Sequence, residues 1–201
     1  MKLRHSLALS LLVTTSLAWA QGPLLRSFPL VTTNGFPVGL DHNGSGGLLF
    51  TDIGTNDELG LSNLNGTILF RVNVAANSIN PIGITAQVAP SFRAYVTDSG
   101  GPDVDVYDNL GSYLSSFSVA AQTTFPEGIA YRTNNGHLYV VDGSGGNKVS
   151  EYTTAGVHVA DFPINGSSPD GIAWDPSNDT FWIYDSGTDT CRQYSSAFVE
   201  L

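Results

Sequence analysis

Cysteine is almost missing: Cys191 is the only one in 201 residues, so no disulfide can tie one part of the chain to another and stability has to come from packing. Positive charge is scarce too. Eight Lys and Arg stand against 18 Asp and Glu, which makes nucleic acid and anionic membrane surfaces poor partners. Beyond residue 20 no apolar run approaches the roughly 20 residues that a membrane helix needs, and no stretch repeats its apolar residues at helical spacing. A Gly-x-Ser-x-Gly elbow, a His-Glu-x-x-His pair, a Walker loop and a cysteine pair are all lacking, so the familiar signatures of acyl transfer, zinc, nucleotide and redox chemistry are excluded and the catalytic residues, if any, are unknown. The glycine clusters Gly44-Ser45-Gly46-Gly47 and Gly143-Ser144-Gly145-Gly146 precede no helix and read as loops, not phosphate cradles.

What is present begins with an address. Lys2, Arg4 and His5 form a basic start, Leu7 to Ala18 an apolar stretch, and Ala18-Trp19-Ala20 a small-x-small cleavage site. Residues 1–20 therefore read as a signal peptide, and the mature chain is expected to be secreted or periplasmic. The roughly 180 residues that follow, 21–201, are enough for one sizeable core.

One sentence is then written four times. The openings are Pro37-Val38-Gly39, Pro81-Ile82-Gly83, Pro126-Glu127-Gly128 and Pro169-Asp170-Gly171, with glycines 44, 45 and 43 residues apart. A second landmark, the aspartates Asp52, Asp98, Asp142 and Asp185, recurs at 46, 44 and 43. A third, the turn glycines Gly66, Gly111 and Gly156, recurs at 45 and 45. Within a copy, Gly128 to Tyr131, His137 to Asp142, Lys148 to Tyr152 and Val157 to Ile164 read as four short strands, with Asn135-Gly136 as a hairpin turn. A period in the forties built from four short strands is the mark of β-propeller blades. The fold expected is all-β: a propeller of four four-stranded blades, with repeats at about 36–74, 80–119, 125–164 and 168–201.

The pattern Pro-x-Gly-Ile-Ala, a Tyr-Val-x-Asp strand, a Val-x-x-Tyr strand and a Gly turn resembles NHL-type propeller repeats, and more distantly gluconolactonase-type propellers. The first copy departs most, with Gly39-Leu40 for Gly-Ile and no Tyr in its third strand. The resemblance implies a propeller over the whole mature chain. For function it implies a choice between a scaffold for a protein or small-molecule ligand and a metal-dependent lactonase or lyase, since such propellers serve both ends.

Leu24 to Leu30 reads like a fourth strand, because Phe28 lies 11 residues before Gly39 as Phe117 lies 11 before Gly128. In the fourth copy, counting from Tyr194 to the expected outer-strand Phe runs past residue 201. Residues 24–30 are thus expected to close a ring of four blades as the outer strand of the fourth. The competing reading is a longer propeller or self-association through open blade edges.

The repeated aspartates suit a structural task, accepting backbone N–H bonds and shaping the turn that follows. Symmetry breaks in the Pro-x-Gly loops, where Val38 and Ile82 give way to Glu127 and Asp170. Two readings stand for these acids. They are solvated loop residues, or, beside Asp142 and Asp185, they hold a hard cation such as calcium at the channel mouth. Gluconolactonase-type propellers carry a divalent metal on their axis, so the resemblance implies the second. His42, His137 and His158 fall at different repeat positions and form no shared ligand set, and Cys191 is expected to be a buried apolar filler.

Overall fold

The computed structural model describes Ser27, Phe28 and residues 36–201. Fifteen strands form four antiparallel sheets, each drawn from one unbroken stretch of chain. Blade one is β1 (Pro37–His42), β2 (Gly47–Asp52), β3 (Glu58–Asn63) and β4 (Ile68–Asn73). Blade two is β5 (Pro81–Gln87), β6 (Arg93–Asp98), β7 (Asp103–Tyr107) and β8 (Tyr113–Ser118). Blade three is β9 (Pro126–Arg132), β10 (His137–Asp142), β11 (Lys148–Thr153) and β12 (His158–Pro163), and blade four is β13 (Pro169–Asp175), β14 (Thr180–Asp185) and β15 (Thr190–Ser195). This is the all-β, four-bladed propeller arrangement expected of the repeat. Among the described residues no helix is long and apolar enough to cross a membrane.

Each landmark of the repeat has a structural cause. The Pro-x-Gly tripeptide interrupts the ladder: register shifts lie at Pro37/Gly39, Pro81/Ile84, Val140/Asp142 and Pro169/Gly171, so the residue between Pro and Gly bulges out of each innermost strand. The turn glycines Gly66, Gly111 and Gly156 have φ of 83°, 77° and 80°, the left-handed region that costs other residues most. They are also crowded. A Cβ on Gly111 or Gly156 would strike Val72 or Phe117, which belong to the outer strand of the preceding blade.

Alternation along the strands gives every blade two apolar faces, and the core lies between blades. Leu49, Leu59 and Val74 of blade one meet Ile84, Ala94, Val96 and Tyr107 of blade two. Tyr95, Val104 and Val119 meet Ile129, Leu138, Val140 and Tyr152 of blade three. Tyr139, Val141, Val149 and Ile164 meet Phe181, Ile183, Tyr194 and Phe198 of blade four. The innermost strands follow suit, packing side by side in the order β1, β5, β9, β13.

Among the described residues the ring is open. β13 does not pack on β1 as the other neighbours pack, and the face of blade four that points onward is uncovered: Trp182 and Tyr184 are exposed, as is Cys191, which the sequence places in a core. Cys191, Trp182 and Tyr184 are exposed for one reason: no described residue packs against this face. The outer edge of β15 is partly taken by the chain itself, through the Tyr194–Glu200 bridge and the bonds Ser195 N to Val199 O and Leu201 N to Gln193 O. Of residues 24–30 only Ser27 and Phe28 are among the described residues; the rest of that expectation lies outside them. Phe28 rests on Gly66 of blade one, copying the contact of Phe117 with Gly156.

Candidate functional site

The innermost strands from all four blades line two depressions, one at each end. The end where these strands begin carries the bulged Pro-x-Gly loops around a shallow hollow of about 190 Å³, bordered by Val38, Ile82, Asp170 and the repeat glycines. Backbones come close here. A Cβ on Gly39, Gly83 or Gly128 would collide with the carbonyl oxygen of Ile82, Glu127 or Asp170 on the next blade. Two threonines stitch the same contact. The Thr51 hydroxyl accepts the Gly39 N–H (2.9 Å) and donates to the Ile82 carbonyl (2.6 Å), and Thr97 does the same between Gly83 (2.8 Å) and Glu127.

Asp170 borders this hollow, whereas Glu127, at the equivalent place in the adjacent blade, is not among its lining residues but lies close enough to feel the Asp170 charge. Burial, and then the negative charge of Asp170, push the Glu127 pKa up to about 7, the behaviour of like charges held together in a poorly hydrated place. The Glu127 side chain lies over Gly143. Asp142 and Asp185 turn to other work. Asp142 accepts bonds from the Thr123 hydroxyl (2.6 Å) and from Ser144 N (3.0 Å), and Asp185 from Ser167 N (2.7 Å), Thr188 N (2.8 Å) and the Thr188 hydroxyl (3.0 Å). Asp98 accepts from Ile79 N, Asn80 N and Gly100 N, and Asp52 from Phe36 N. The repeated aspartate therefore clamps the loop that leads into its own blade. Among the described residues no three His, Cys, Asp or Glu side chains converge in a way that could hold a metal ion.

The opposite end holds the larger space, about 370 Å³. Its floor is Leu40, Ile84, Ile129 and Ile172, one residue from each blade, and its rim carries Asp41, His42, Thr85, Tyr131, Thr133 and Trp174. A hydrogen-bonded relay crosses three blades beneath the rim: Tyr131 N donates to the Thr85 hydroxyl (3.0 Å), which donates to Asp41 Oδ2 (2.9 Å). Asp41 also accepts Ala86 N (2.9 Å) and His42 N (2.7 Å). Burial nevertheless raises its pKa above the ordinary carboxylate value. His42 Nδ1 accepts Gly44 N (2.9 Å), which leaves the ring proton of the neutral form on Nε2.

Blades three and four are joined at this end by a bidentate ion pair. Arg132 Nε and an Nη donate to the two oxygens of Asp179 at 2.8 and 2.6 Å, and Trp174 Nε1 adds a bond of 3.0 Å. The Arg132 hydrogen bonds hold the Asp179 pKa down at about 2. Trp174, on the rim, is thus fixed by its indole N–H. His137, which the sequence assigns to a strand or surface, pairs with the buried Glu151 at 2.6 Å.

Sequence reasoning placed the candidate site at the Pro-x-Gly end. It passed over Asp41, Thr85, Tyr131 and Trp174. These occupy the last positions of the innermost strands, where the four copies read Leu-Asp-His, Ile-Thr-Ala, Ile-Ala-Tyr and Ile-Ala-Trp. The signal that could have found them is this loss of symmetry, stronger than the one between Val38, Ile82, Glu127 and Asp170.

No family model matches the sequence, and no curated protein is significantly similar to it. Solved structures share the fold. Virginiamycin B lyase from Staphylococcus aureus is 19% identical with a TM-score of 0.65, over 88% of this chain and 58% of that one. A chain of a nidogen/laminin complex is 18% identical with a TM-score of 0.64, over 86% of this chain and 65% of that one. A streptogramin B lyase is 16% identical with a TM-score of 0.58, over 85% and 58%. The chain thus spans about three fifths of the length of these relatives. At such identities the likeness establishes a β-propeller and nothing narrower.

Proposed function

We propose that the chain is an exported NHL-type β-propeller that works as a binding module, with its ligand in the cavity at the far ends of the innermost strands. The observation that supports this reading is the 370 Å³ space reached by all four blades, with an aliphatic floor and Tyr131 and Trp174 on its rim. Pockets of this size and make-up suit small molecules: apolar walls provide burial and a few fixed polar groups provide orientation. The chemistry that fits is a ring with an apolar face and hydroxyl groups, stacked on an aromatic side chain and hydrogen-bonded by Thr133 and His42. Asp41 is spent on Thr85, Ala86 and His42, which favours a positioning role over a catalytic one.

The test is a fluorescence titration with a panel of mono- and disaccharides and of aromatic peptides. A saturable change that disappears in Trp174→Ala and survives in Trp182→Phe supports the site. No saturable change with any probe, or one that survives Trp174→Ala, overturns it.

A second reading rests on the crowding of Glu127 and Asp170, whose mutual repulsion a divalent cation would relieve. Calcium held there with Asp142 and Asp185 as further donors is the form the sequence suggests, and it would supply the Lewis acid of a lactonase or lyase. Calorimetric titration of calcium into wild type and into a Glu127→Gln, Asp170→Asn double variant decides it: heats that do not differ remove the metal and with it this enzyme reading.

A further inference from the structure

Blades one to three each present a forward face that the next blade covers, and blade four presents the same face uncovered. The position filled by Leu49, Tyr95 and Tyr139, at most 2% exposed, holds Trp182 at 40%; that filled by Thr51, Thr97 and Val141, fully buried, holds Tyr184 at 43%. Cys191 is exposed where Leu59, Val104 and Val149 are buried, and Ala173 where Ala130 is buried. Cross-strand pairing puts the four side by side, Ala173 opposite Trp182 and Tyr184 opposite Cys191. The result is a continuous apolar face of a kind that soluble surfaces seldom leave open.

Gly171 says what the face is built to meet. The first three repeat glycines have no room for a Cβ because the next blade's backbone lies against them, at 2.3, 2.5 and 2.7 Å from the place a Cβ would occupy. A Cβ on Gly171 would find only the Tyr184 side chain, at 3.7 Å. Among the described residues nothing requires glycine there; a further Pro-x-Gly bulge laid against blade four would. The matching surface exists at the other end of the same chain. Leu40, which corresponds to the buried Ile84 and Ile129, is 62% exposed on β1, and Val38 beside it is also exposed.

From these observations we infer that the forward face of blade four binds the first blade of a second copy of this chain. The contact continues the inter-blade packing already present three times in the molecule. Blades in a propeller are related by one repeated rotation, so a contact that repeats the step keeps the axis, and a ring closes when the steps add up to a full turn. Two copies give eight blades, within the range of about four to eight that propellers adopt, and three copies do not. The pair is head to tail, with two equivalent contacts and a twofold axis along the channel.

Sedimentation velocity of the purified chain over a wide concentration range is the test. Twice the monomer mass is expected, with the monomer restored in Gly171→Val, whose added side chain faces open space in the single chain and a backbone in the pair. Trp182→Glu is the second variant, should the first fold poorly, and Leu40→Glu should act from the opposite face. Cys191 gives an independent readout: its thiol should react slowly with a maleimide in the dimer and quickly in the monomeric variants. A wild-type chain that stays monomeric with a freely reactive thiol overturns the inference. So does a dimer that survives all three substitutions, or one that oxidises to a Cys191–Cys191 disulfide, because head-to-tail packing puts the two cysteines in separate contacts.

Discussion

Asp105 sits on β7 in full burial, where the Ser78 hydroxyl donates to its Oδ2 at 2.5 Å and lies 2.7 Å from the Tyr107 hydroxyl. The third-strand tyrosine has this job in each blade that has one, tying down the loop before the blade: Tyr152 bonds Gln122 and Tyr194 bonds Asn165. Only blade two adds a carboxyl group. Burial raises the Asp105 pKa to about 6, with Asp98 and Asp103 adding to it against the Ser78 bond. The sign follows from linkage. The unfolded chain ionises near 3.8, so the folded state holds its proton longer; the stabilisation is complete below that value and is lost as pH rises through about 6. Between pH 4 and 7 the wild type should therefore lose stability relative to Asp105→Asn, by on the order of 1–3 kcal/mol. Chemical denaturation of both proteins at several pH values checks this, and parallel curves would show that Asp105 does not titrate in that window.

At the scale of the strand and its loop, the second-strand aspartate does for the chain what a capping residue does for a helix. Asp98 collects three backbone N–H groups, from Ile79, Asn80 and Gly100, in part-buried bonds, so Asp98→Ala leaves three donors without this partner and should cost about 1–3 kcal/mol. An unchanged urea midpoint would refute the clamp. This role was legible in the sequence because it repeats: a short carboxylate at the end of every second strand, before a glycine or serine in three of the four copies, is turn chemistry before it is anything else. The blade faces were equally legible from alternation along Tyr-Val-x-Asp. What alternation does not say is whether a neighbour stands opposite the face. Cys191 and Trp182 follow the pattern of core residues and are exposed, since their burial depends on a neighbour that no described residue supplies. The rim of the larger cavity was illegible for another reason: Asp41, Thr85 and Tyr131 meet across blades at separations of 44 and 46 residues, and no local pattern links them.

In the molecule as a whole, stability is a series of nearest-neighbour contacts. Blades two and three are covered on both sides and blade four on one. In the Gly171→Val background, amides of β14 should exchange with solvent faster than those of β6 and β10, whereas in the assembled wild type the three should draw level; hydrogen exchange read by mass spectrometry reports both, and equal protection in the two backgrounds would count against the nearest-neighbour picture. The sheets have one more property in common: among the described residues none borrows a strand from elsewhere, each running from its first strand to its last within about 40 consecutive residues. The unit that a gene can duplicate or delete is then the same as the unit that packs. Copying residues 125–164 in tandem would insert a whole blade between two matching surfaces without unpairing a single strand, so the arc of this protein can lengthen or shorten by recombination in steps of one repeat.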